Sequence, residues 1–215
     1  MLANAEHYFD IDKPAEYFRF NRLMNYLFAS VLLTFIFGVL TYGEKFRLWE
    51  YAYSYIGMFR TPGGSPNTTA MLVYFAGNLF NSVICFKIRN IYFDKFHRII
   101  FGICGAGFLL LMLPCDIINP VHAAGGAMVF GSLWIFALLR IYHIYHEGEK
   151  TRGFLSFLLL NATILPYAYL YFINSPNQQF AQKPAMLGMI IVLKLVILKN
   201  KEENKRAGLK REIIA

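Results

Sequence analysis

The residues best able to do chemistry fall in one short stretch, Leu113-Pro114-Cys115-Asp116-Ile117-Ile118-Asn119-Pro120-Val121-His122, set between two apolar runs. An Asp/His pair of this kind could orient an imidazole as a general base, bind a divalent metal with help from a further ligand, or titrate as a proton-linked switch. Ser54, in a segment upstream, is the candidate third member, as nucleophile or as partner to a metal-bound water. A plainer reading stands beside it. Asp116 caps the next helix or accepts from loop amides, His122 donates to a neighbouring carbonyl, and the two tie the loops together. The set lacks HExxH-like spacing, which leans the chain away from an enzyme.

Beneath these lies Gly77-Asn78-Leu79-Phe80-Asn81-Ser82, in the middle of an apolar run. Asn78 and Ser82 share a helix face, where they bond neighbouring helices or line a polar space below the Asp/His corner. The candidate ligand-binding residues are therefore Asp116, His122, Ser54 and Asn78, the first three also being the catalytic candidates. No metal or cofactor is read from the pattern. Cys85, Cys104 and Cys115 are odd in number and show no CxxC spacing. His143 and His146 close one apolar run, but haem ligation needs facing histidines at matching depth, and only His97 lies on the same side.

The elements that must position these residues are apolar helices. The chain is 57% hydrophobic, 17% aromatic and 16% charged, with a mean hydropathy of +0.42, the balance of a membrane protein. Its apolar runs, Met24–Tyr42, Thr69–Ile88, Ile99–Leu113, Val121–Tyr145, Gly153–Ile173 and Phe180–Leu198, predict an all-α polytopic protein with six transmembrane helices in one bundle. The third and sixth are the weakest, and a five-span alternative stays open. Residues 1–198 form the membrane domain, including a cytoplasmic segment 1–23, and residues 199–215 form a basic cytoplasmic tail, expected to be solvated and partly helical.

Lys13, Arg19, Arg22, Lys87, Arg89, Lys95, Arg98, Arg140, Lys150, Arg152 and the cations of the tail lie on one side of such a bundle. Only Lys45, Arg47, Arg60 and Lys183 lie on the other. The positive-inside rule then places both termini in the cytoplasm of a multi-pass cell-membrane protein, with the Asp116 hairpin outward. The net charge of +8 belongs to these loops and to lipid headgroups, so membrane lipids rather than nucleic acid are the expected partners. Residues 1–22 lack the apolar core of a secretory signal, and no internal repeat is evident.

Four finer expectations follow. The Tyr-rich segment Leu48–Gly57 lies along the outer membrane surface, as amphipathic rings prefer. Asn67-Thr68-Thr69 matches a glycosylation sequon by chance. Gly102 and Ala106 pack against Ala123, Ala127 and Gly131 as a small-residue seam. Pro166 bends the fifth helix, with Asn161 and Thr163 satisfying the freed backbone.

Ser54-Tyr55-Ile56-Gly57, Tyr74-Phe75-Ala76-Gly77-Asn78-Leu79-Phe80, Leu113-Pro114-Cys115-Asp116 and His122-Ala123-Ala124-Gly125-Gly126 together resemble the bacterial six-span family known as domain of unknown function 998. That family is similar to the damage-regulated autophagy modulators and the membrane proteins of GPI-anchor lipid remodelling. The resemblance spans about Ser54 to Tyr142 and implies a six-span fold and a lipid-facing role, with Ser54, Gly57, Asn78 and His122 on its recurrent positions. Tyr55 follows Ser54 where many relatives carry an acidic residue, which counts against metal binding there. The first functional expectation is thus a non-catalytic protein that binds or senses a lipid or small amphiphile at the outer rim. The alternatives are a membrane-embedded hydrolase or lipid-modifying enzyme using Asp116 and His122, and a small transporter passing Asn78, Asn81 and Asn161.

Overall fold

The computed structural model describes residues 14–92 and 94–214, with side chains for 16–92 and 94–197. It is all-helical: α1 (Pro14–Leu40), α2 (Thr68–Arg89), α3 (Lys95–Leu111), α4 (Asn119–His146), α5 (Lys150–Phe172) and α6 (Gln178–Ile214), with a 3-10 turn at Tyr53–Gly57. Five of these, all but α3, are long and apolar enough to cross a membrane. The 17 residues of α3 span only about 26 Å, against a hydrocarbon core of roughly 30 Å. Polarity is inverted along α2, where Leu72, Phe75, Leu79, Phe80 and Val83 are exposed while Asn78, Asn81 and Ser82 are buried. Water would disfavour that arrangement, whereas lipid favours it.

The helices group into two compact units, one ending at Leu133 and the other starting at Trp134, so that α4 contributes to both. In the first unit α2 packs on α1 and α3. Ser82 Oγ donates to the Gly105 carbonyl at 2.9 Å, which fixes the α2–α3 register. The α3–α4 crossing is made by Gly107 and Gly125, not by the expected alanines and outer glycines. A Cβ on Gly107 would stand 2.8 Å from the Gly125 carbonyl oxygen, whereas one on Gly131 would meet nothing within 4 Å, and Ala127 is exposed. Both sets of small residues recur at helical spacing, and only the phase of the crossing selects between them.

α1 begins nearly three turns before its apolar run, with Pro14 at the position where a missing N–H is harmless. Tyr17, Phe20, Met24 and Leu27 are buried on one helical face, while Arg19 and Arg22 lie in solvent or headgroups. At the far end Leu48 and Trp49 of the aromatic segment stay exposed, as expected of a surface segment, whereas the part from Tyr51 to Gly57 turns inward. Ile56 is fully buried over Gly38, and Gly57 sits against the Tyr74 ring, each glycine leaving room where a Cβ would clash.

In the second unit α5 packs on α6, with Thr163 against Gly188. Asn161 Nδ2 donates to the Phe157 carbonyl, and Thr163 Oγ1 to those of Leu159 and Leu160. Neither reaches the Ala162 carbonyl that Pro166 leaves free, because each folds back on its own preceding turn. α6 continues without a break through Lys199 to Ile214, so the basic tail is helical over its described residues 199–214.

Candidate functional site

The site is built on the loop that joins α1 to α2, and its organiser is Asn67. The side chain is 1% exposed, and its Oδ1 accepts from the Gly43 N–H at 3.1 Å. Nδ2 donates to the carbonyls of Ile56 and Met58, both at 3.0 Å. One amide thereby closes the loop onto the start of α2, satisfying backbone groups that would otherwise be buried and unpaired. Sequence reasoning passed this residue over as a chance sequon; its position at the mouth of an apolar run after Pro66 was the available signal. A second clamp is Glu44, which accepts from Tyr51 Oη at 2.6 Å and Thr61 Oγ1 at 2.7 Å. Those hydrogen bonds, Tyr51 first, hold its carboxyl below the usual range.

Asp116 belongs to the turn between α3 and α4 and reaches the same loop. Both carboxylate oxygens accept from the Phe59 N–H at 3.0 Å, and Oδ2 also accepts from the Arg60 N–H at 3.1 Å. Beside it Cys115 Sγ donates to the Ser54 carbonyl at 3.7 Å. Burial, helped by the charge of Asp116, pushes the Cys115 thiol up to about 12.

His122 lies in the opening turn of α4, two residues after Pro120, and its side chain is turned away from solvent. It is 5% exposed, stacked on Tyr74 with ring centroids 6.2 Å apart. Nδ1 donates to the Leu113 carbonyl at 2.7 Å, which leaves the buried Nε2 as a bare acceptor without a hydrogen-bond partner. The Leu113 carbonyl lies in the turn just past the C-cap of α3, outside the helical ladder, and takes its donor from the imidazole. Asp116 and His122 are not hydrogen-bonded to each other. Asn78 donates to the Tyr74 carbonyl of its own helix at 2.9 Å, and its buried Oδ1 has no partner.

Asp116, Ser54 and the Tyr-rich segment therefore come together, while His122 and Asn78 lie deeper. Above them opens a recess of about 490 Å³ lined by Glu50, Tyr51, Tyr55, Met58, Pro62, Cys115, Asp116 and Asn119. Of the four expected ligand residues only Asp116 lines it. Arg47 stands at its edge, its guanidinium 5.5 Å above the Tyr51 ring and 2.7 Å from Glu50 Oε2.

The structure makes a different Asp/His pair. Asp94 caps α3, accepting from the His97 N–H and from His97 Nδ1, both at 2.8 Å. The His97 ring is buried and stacked on Tyr92 at 4.7 Å. In the second unit His143 meets Glu147 at 2.5 Å, and the His146 ring lies 4.3 Å from that of Tyr142. Among the described residues no group of three or more His, Cys, Asp or Glu side chains is placed to hold a metal ion. Comparison with protein-family models, curated proteins and solved structures finds no match to this chain.

Proposed function

We propose that the chain is a multi-pass cell-membrane protein with six spanning helices and cytoplasmic termini, which binds or senses an amphiphile at the outward recess. The distribution of Lys and Arg supports the orientation, and the resemblance over Ser54–Tyr142 supports the six-span count and a lipid-facing role. The observation that carries the reading is the recess itself: an open space of about 490 Å³ where tyrosine and methionine surfaces meet carboxylates at the end of lipid-facing helices. A hydrolase is less well supported. The Asp116 carboxylate serves two backbone amides and His122 Nδ1 serves a carbonyl, so neither activates the other.

Photolabelling tests it. A fatty-acyl probe with a photoreactive group near its head, irradiated with the detergent-purified protein, is expected to mark peptides covering residues 50–62 and 115–119. Tyr55→Ala is expected to reduce that label severalfold. Labelling confined to the helix flanks, and indifferent to Tyr55, overturns the proposal.

A further inference from the structure

Resting on that reading of the recess, we propose that the headgroup it receives is a cationic ammonium group carried by a membrane amphiphile. The lining residues include two carboxylates, Glu50 and Asp116, and neither Lys nor Arg. Tyr51 and Tyr55 line the recess with ring centroids 5.7 Å apart, inclined at 46°, and the Tyr51 ring, 5% exposed, already carries a cation on one face. Ring faces attract cations within about 6 Å, most strongly where a carboxylate completes the corner.

The chain itself already shows such a cation held there, since Arg47 rests over Tyr51 and bonds Glu50. A separate observation comes from Tyr42, 8% exposed, whose hydroxyl has no hydrogen-bond partner. Its electrostatic neighbours include Tyr51, Cys115 and Tyr55 of the recess lining, so the buried phenol lies near the recess without lining it. An anionic head would face Glu50 and Asp116, and the cation beside them, Arg47, is already bonded to Glu50. The membrane is the source of the ligand because the recess tops helices whose sides are apolar and exposed.

The test is competition against the photoprobe at residues 50–62 by alkyltrimethylammonium and alkylsulfonate of equal chain length, below their micellar concentrations. The ammonium compound is expected to compete at about one tenth of the sulfonate concentration. Glu50→Gln, at an exposed position, is expected to shrink that advantage to within about threefold. Arg47→Gln, which removes the internal competitor, is expected to enlarge it, a direction that misfolding does not mimic. Equal competition by both headgroups overturns the ammonium assignment while leaving amphiphile binding in place. Absence of label at the recess overturns the amphiphile reading itself. Competition by tetramethylammonium, which has no chain, overturns the membrane source.

Discussion

Asp94 and His97, at the turn between α2 and α3, face each other at 2.8 Å, whereas Asp116 and His122, at the turn between α3 and α4, each bond to backbone. Both turns carry an Asp shortly before a His. At the first, Asp94 is the N-cap and His97 occupies the third helical position, so the carboxylate that caps the amide also meets the ring. At the second, Asp116 precedes α4 by most of a turn and is drawn to the amides of a separate loop, while the Leu113 carbonyl, in the turn past α3, claims the imidazole. Pairing is local where helix geometry dictates it; elsewhere the unsatisfied backbone decides.

That contrast can be broken most severely at Asn67. Asn67→Ala leaves two carbonyls and an amide without partners and is expected to cost about 3 kcal/mol, read as a large drop in the thermal midpoint in detergent. A change below about 1 kcal/mol would mean that the α1–α2 loop is not held by its backbone bonds. Asp94→Ala comes next, at about 2 kcal/mol, because it removes a cap and the partner of a buried ring. It is expected to leave photolabelling of the recess unchanged. Asp116→Ala is expected to cost only about 1 kcal/mol, since water reaches the amides it serves, yet to weaken the label. Equal stability losses with equal labelling would erase the distinction between the two turns.

The smallest effect concerns Cys115. Its thiol is raised from 9.0 to about 12, so the neutral form is favoured in the fold. The resulting stabilisation is fully present below pH 9, the unfolded value, and is lost as pH rises towards 12. At pH 8 iodoacetamide is expected to alkylate Cys115 at least about a hundredfold more slowly in the folded protein than in denaturant. Comparable rates would show that the Asp116 turn is open.

Much of the helical layout was legible in the sequence because hydropathy is additive along a run. The start of α1 was not, since Arg19 and Arg22 lower the local average although Tyr17, Phe20 and Met24 keep a helical stripe. The inward fold of Tyr53–Gly57 was hidden for another reason: tyrosines suit an interface as well as a core, and the space that decides between them is supplied by Gly38 from a different helix. The nearness of Ser54 to the Asp116 turn was readable from residue types. The direction of His122 depended on the Leu113 carbonyl, a main-chain group that no side-chain motif announces.

The buried amide of Asn67 has a consequence for producing the protein. Its sequon, Asn67-Thr68-Thr69, is offered to a glycosyltransferase only while the loop is still open, because in the folded chain both ends of the amide are engaged at 3.0–3.1 Å. In a eukaryotic secretory membrane with this loop facing the lumen, folding and sugar transfer would race for the same nitrogen. A chain that lost the race would carry a glycan where the loop must close, and its gel shift would count the molecules that folded too late.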